Sequence, residues 1–155
     1  MRNHMEVTFL ARAQNEAFAR VAIAAFAGQL TPTRPEMADL KTAVSEAVTN
    51  AIVHGYRGRE DGVVTLRAEY GDNRMLEVTV QDSGCGIRDI AAAMQPFYST
   101  GDGMERSGMG FCVMQTFMDA VEVNSIVNEG TTVIMRKHIL GEAGLHRERM
   151  LDEIG

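Results

Sequence analysis

The stretch Ser45–Tyr56, SEAVTNAIVHGY, decides how the rest of the chain is read. Most of it is apolar and reads as the end of a helix, yet Glu46, Asn50 and His54 recur at intervals of four. On a straight helix that spacing sets a carboxylate, an amide and an imidazole on one stripe. Leu40, Val44, Ala47, Val48 and Ala51 form the buried face, and Glu46 and Asn50 lie well round from it. Thr33, with Glu36 three residues on, fits a capping box that opens the helix. Gly55 closes it. A lone glutamate is ordinarily solvated, and a histidine in a last turn ordinarily serves the helix end. Asn50 is a poor ligand for zinc but suits Mg²⁺, which keeps waters and borrows phosphate oxygens.

Around this helix the chain alternates between two periods. Met5–Leu10 alternates as a strand, and a first amphipathic helix is expected from about Gln14 to Leu30, with Phe18, Val21, Ala22, Ala25 and Phe26 on its buried side. After Gly55, two β-rich runs flank a turn at Gly71–Arg74, and a second strand pair turns at Asn128–Glu129–Gly130. A short helix near Asp89–Met94, a glycine-rich loop and a helix in FCVMQTFMD lie between the pairs. Hairpins mixed with amphipathic helices predict an α+β sandwich, with helices on one face of a largely antiparallel sheet. The tail from residue 139 to 155 is polar, either frayed or a short helix.

Composition narrows the function classes. The chain has 155 residues, suiting one domain, and its net charge of −6 argues against general nucleic-acid or membrane-surface binding. The first residues carry charges throughout and read neither as a signal peptide nor as a membrane span. Only Cys85 and Cys112 are present, too few for a disulfide framework, so a cytoplasmic setting is expected.

Two glycine clusters complete the pattern. VTVQDSGCGI ends an alternating strand on Asp82 and follows it with Gly84 and Gly86. This is either a tight turn or a place where backbone approaches a flat ligand while Asp82 accepts from an exocyclic amine. It is not a dinucleotide fingerprint, a Walker A loop or a calcium loop. In RSGMGF, Gly108 and Gly110 open a helix. Free N–H groups and the helix dipole there favour an anion, and Arg106 adds charge. The preceding loop, with Gly101 and Gly103, could close as a lid. A helical i, i+4 pair of Glu46 and Asn50 would set a base beside a metal ligand, as phosphoryl transfer requires.

Taken together and in order, EAVTNAIVHGY, DSGCGI and RSGMGF resemble the nucleotide-binding boxes of the GHKL ATPase/kinase superfamily, and GTT at Gly130–Thr132 fits its final box. Within it the chain looks like a bacterial anti-sigma factor serine kinase. NEAFARVAIAAF and ERSGMGFCVMQTFMDAVEVNSIVNEGTTV carry that likeness, which reaches from Met1 to about His138. The resemblance implies the Bergerat fold, a two-layer sandwich with helices on one face of a mixed, mostly antiparallel sheet, holding ATP or ADP under a lid. It implies Glu46 as general base and Asn50 as Mg²⁺ ligand. Asp82 would bind the adenine amine, Gly84 and Gly86 would shape the base pocket, and Thr131 would support it. Ser99, Thr100, Arg106, Gly108, Met109 and Gly110 would line the phosphate side. Gly101 stands where the family usually has a lysine. The implied partners are an RNA polymerase sigma factor of the sigma F type, contacted by Arg20, and a STAS-type anti-anti-sigma factor phosphorylated on serine. A homodimer is implied as well. A stress-response sigma factor, or a nucleotide switch without chemistry, is the alternative. A sensor histidine kinase would need a phosphoacceptor helix before the glutamate box, and an ATP-driven clamp a second domain; neither is expected in this sequence.

Overall fold

Leu76, Val78, Val80 and Asp82 alternate with Glu77, Thr79 and Gln81, a period-two pattern that makes one sheet face apolar. In the computed structural model, which describes residues 2–95 and 110–154, this run is the middle strand of a five-stranded sheet. The strands are β1 (Asn3–Leu10), β2 (Val63–Tyr70), β3 (Met75–Asp82), β4 (Ala120–Ile126) and β5 (Gly130–His138), in the order β1-β2-β3-β5-β4. All pairings are antiparallel. The mixed character implied by the resemblance does not extend to any hydrogen-bonded pair among the described residues. β3 and β4 run in the same direction, but β5 lies between them.

Helices α1 (Asn15–Ala27), α2 (Arg34–Asn50) and α4 (Gly110–Phe117) cover the apolar face, and α3 (Ile90–Ala93) is a single turn. α2 is built as its sequence dictates. Thr33 Oγ1 accepts from the Glu36 N–H, and the Glu36 carboxylate accepts from the Thr33 N–H at 2.8 Å, a complete capping box. Leu40, Ala43, Val44, Ala47 and Val48 are all buried against the sheet and α1. Each large apolar side chain there contributes roughly 1.5–3 kcal/mol, so a cavity such as Leu40→Ala would cost about 2–5 kcal/mol.

The buried side of α1 differs from expectation. Ala19, Ile23, Phe26 and Ala27 face the core, whereas Phe18 is 49% and Val21 67% exposed. The smaller set permits closer packing on α2, while Phe18 meets the core's margin through an edge-on contact with Phe9, ring centroids 6.0 Å apart. A 3₁₀ turn, Gly28–Leu30, continues α1. After β5 the chain forms α5 (Gly141–Ile154). No described helix is long and apolar enough to cross a membrane.

Candidate functional site

Asp82 occupies the last inward-facing place of β3, in the row set by Leu76, Val78 and Val80. Thr131 is its cross-strand neighbour on β5, in the row continued by Val133 and Met135. The two are only 7% and 8% exposed, so an apolar face ends in two polar groups. Burial raises the Asp82 carboxyl above its ordinary value, and the N–H groups of Gly84 and Thr131 offset that only in part. Asp82 Oδ1 accepts from Gly84 N–H at 2.9 Å. Thr131 Oγ1 shares a 2.8 Å hydrogen bond with Ser125 Oγ, which accepts from Ile87 N–H.

The end of α2 packs directly on this corner. Ala51–Gly55 form a π-turn, a wider coil than the helix before it. The straight-helix relation therefore holds from Glu46 to Asn50 but not on to His54, and the expected three-residue stripe is a two-residue one. What the π-turn does instead is deliver backbone. The Gly55 carbonyl accepts from Cys85 N–H at 2.8 Å, and the His54 carbonyl accepts from the Cys85 thiol at 3.2 Å. A side chain at Gly84 would place its Cβ 2.0 Å from the Gly55 oxygen, so the two segments meet only because residue 84 has none. Gly86 holds a φ of +75° beside the Ile126 carbonyl.

Glu46 and Asn50 meet the start of α4. A Cβ at Gly110 would lie 2.9 Å from Asn50 Nδ2 and 3.4 Å from Glu46 Oε2. Both side chains are half-buried and make no hydrogen bond among the described residues. The fold thus brings Glu46, Asn50 and Gly110 together at one end of α2, and Asp82, Gly84, Gly86 and Thr131 together one turn further on. Ser99, Thr100, Arg106, Gly108 and Met109 lie outside the described residues, as does Gly101. Arg20 stands apart on α1, exposed, with its guanidinium 3.6 Å from Glu16 one turn earlier.

Sequence reasoning missed Tyr56. Its ring is buried, and its hydroxyl donates to the Val63 carbonyl at 2.5 Å while accepting from Ser83 N–H at 2.7 Å. It ties the π-turn to β2 and to the residue after Asp82. Ser125 was likewise unmarked; an alternating strand gives no sign of which small hydroxyl will bridge to a neighbour.

The arrangement suits a flat, amine-bearing ligand with an anionic tail and a hard cation. A desolvated carboxylate at one end wants donors. The side-chain-free start of α4 lets an amide and a carboxylate pack against a helix N-terminus, the kind of helix end whose free N–H groups favour an anion. Among the described residues there is no cluster of three or more His, Cys, Asp or Glu able to hold a metal alone. A cation here would depend on Asn50, water and ligand oxygens.

The description "histidine kinase-like ATPase domain" matches the chain over residues 9–137, the class of nucleotide-binding sandwich that this fold and corner define. The anti-sigma F factor of Halalkalibacterium halodurans is 53% identical over 139 residues, covering 90% of this chain and 94% of the relative. That of Priestia megaterium is 47% identical over 145 residues, covering 94% and 99%. The chain therefore belongs to the anti-sigma F factor family of histidine kinase-like ATPase domains. Among solved structures, the RsbU and RsbW domains of a Mycobacterium tuberculosis protein superpose with a TM-score of 0.65 at 17% identity. That match covers 88% of this chain and 32% of the other, so this chain spans about a third of it. The mycobacterial sensor histidine kinase MprB gives 0.56 at 16% identity, covering 87% and 97%. At these identities the structures speak for the fold.

Proposed function

We propose that this protein is a cytoplasmic anti-sigma factor and protein serine kinase. It binds and inhibits an RNA polymerase sigma factor of the F type and uses Mg²⁺–ATP to phosphorylate a serine of a STAS-type anti-anti-sigma partner. The reading treats residues 1–138 as one ATP-binding kinase domain, with 139–155 appended, and takes the working form to be a homodimer. The observation that carries it is the convergence on one turn of α2. Glu46 and Asn50 face the start of α4, while the π-turn following them closes on Asp82.

The bound nucleotide would supply the transferable phosphoryl group, and Mg²⁺ would neutralise its charge. Asp82 accepts hydrogen bonds from the exocyclic amine of adenine, assisted by Thr131, while Gly84 and Gly86 keep the floor low enough for the ring. Asn50 presents its side-chain oxygen to the cation. Glu46, one helical turn before it, takes the proton of the incoming serine hydroxyl as general base. Gly110 leaves room for both side chains. Gly108, Met109, Ser99, Thr100 and Arg106 are assigned to the phosphate side by sequence, with Arg106 carrying the charge that a lysine at position 101 would bring. Arg20, remote from this chemistry and exposed, serves the protein partners.

Incubation with labelled Mg²⁺–ATP and a serine-bearing anti-anti-sigma partner tests the reading. Serine phosphorylation that vanishes in Glu46→Gln is expected. Nucleotide binding without any transfer would leave a switch and remove the kinase.

A further inference from the structure

α5 is anchored firmly at its base and unsupported beyond it. The Glu36 carboxylate, already part of the α2 capping box, also accepts from Leu140 N–H at 2.7 Å and Gly141 N–H at 3.0 Å. Arg74 donates to the carbonyls of Ile139 and Leu30. Gly141 takes a φ of +71° where a Cβ would lie 2.9 Å from the Thr31 carbonyl oxygen, and it redirects the chain into the helix. Leu145 is the last half-buried residue; every described residue after it is exposed.

The exposed part is amphipathic. Ala143, Arg147, Met150, Leu151 and Ile154 follow i, i+3, i+4 spacing and so share one side, opposite Leu145. Met150 is 49%, Leu151 69% and Ile154 80% exposed. An isolated helix of this length is marginal in water, so the stripe calls for a cover. Its charges say which. Arg147 interrupts the apolar stripe, and Glu153 flanks it in the last turn, where the helix dipole disfavours a carboxylate. Neither has an ion-pair partner among the described residues. Two copies laid antiparallel about a centre between Met150 and Leu151 bring Arg147 of each beside Ile154 and Glu153 of the other. Both misplaced charges are then answered twice by symmetry, and the arginine stem covers isoleucine.

We propose that α5 pairs with α5 of a second copy of this chain, antiparallel, through Met150, Leu151 and Ile154, with reciprocal Arg147–Glu153 contacts. This is independent of the nucleotide site and of any other contact between copies.

Cysteines added one at a time to the purified protein, which keeps Cys85 and Cys112, then joined by a short bis-maleimide and located by peptide mapping, test it. Leu151→Cys should cross-link to the same position of a second copy. Ala143→Cys and Arg149→Cys should not, the first because antiparallel pairing carries it away from its counterpart, the second because it lies off the stripe. Arg147→Glu should lower the Leu151→Cys yield by up to about thirtyfold, the scale of two exposed ion pairs, and Glu153→Arg added to it should restore the yield. Equal cross-linking at Ala143→Cys and Leu151→Cys would mean parallel helices and overturn the proposal. So would a Leu151→Cys product joined to Cys85, to Cys112 or to nothing, or a yield indifferent to the charge swap.

Discussion

Replacing Asp82 by asparagine separates what the carboxylate costs the protein from what it gives a ligand. In the folded chain the group is 7% exposed and its pKa is raised, first by burial, so at neutral pH the ionised form is held against a desolvation penalty. The sign follows. A carboxyl that binds its proton more tightly folded than unfolded lowers stability as pH rises from the unfolded value through the folded one. Asparagine keeps the shape and abolishes that penalty. It retains one oxygen for the Gly84 N–H, now 2.9 Å from Oδ1, but turns an NH₂ toward the N–H of Thr131 or toward the ligand amine. One buried donor left without an acceptor costs about 1–3 kcal/mol, set against the removed charge. The net change in stability without ligand is therefore expected to be small. Nucleotide binding has no such offset. A charged acceptor in a desolvated pocket is worth roughly 1.5–3 kcal/mol, about ten- to a hundredfold in affinity. Titration calorimetry with ADP and Mg²⁺, beside thermal melts with and without ADP, reads both quantities. Asp82→Asn should melt near the parent without ADP and lose most of the shift that ADP produces. Unchanged ADP affinity in the folded variant refutes the adenine assignment.

Glu46→Gln should retain Mg²⁺–ATP and sigma-factor binding while single-turnover phosphorylation of the anti-anti-sigma partner falls by about 10²–10⁴-fold. Asn50→Ala should instead weaken Mg²⁺–ATP binding itself, and similar binding defects in both variants would dissolve the distinction between base and ligand. Arg20→Glu adds a second carboxylate beside Glu16 on an exposed surface; sigma-factor pull-down should weaken while ATP titration is unaffected. At Glu36, burial works to raise the carboxyl, but the N–H groups of Thr33, Leu140 and Gly141 outweigh it and hold the pKa below the ordinary value. Its contribution is present above the unfolded carboxylate range and lost as pH falls through the folded value. Glu36→Gln should cost about 1–3 kcal/mol in a urea melt at neutral pH, and the gap to the parent should narrow in acid; a constant gap at all pH values would contradict this.

The elements were legible where local pattern and tertiary packing agree. α2 displays its buried face in five spaced residues and its start in Thr33 and Glu36, and both hairpins announce their turns. α1 hid its orientation because apolar or small residues occupy nearly every position from Ala17 to Ala27, so periodicity could not choose between Phe18 and Ile23. The site was legible as residue types: a carboxylate ending an alternating strand before two glycines, and a carboxylate and amide one helical turn apart. The contact of Gly55 with Gly84 was not, because backbone meeting backbone leaves no side-chain pattern. The π-turn escaped for a similar reason. One extra residue in a coil changes rotation without changing composition, which is why His54 seemed to continue a line that ends at Asn50.

The strand order has a consequence for how this fold tolerates change. Residues 83–119 leave from the end of β3 and return at β4, and β5 alone separates those two strands. The two strands run in the same direction, and Ala120 lies level with Glu77 rather than with Asp82, so the excursion crosses from one end of the sheet to the other, a span of roughly 20 Å. Lengthening such a connection is inexpensive: doubling its length adds roughly 0.6 kcal/mol of entropy. The hairpins and the α1–α2 layer lie outside it, but α4 within it adds Phe111 and Met114 to the core. Insertions ahead of α4 should therefore be absorbed without disturbing strand register, whereas changes within α4 reach the core.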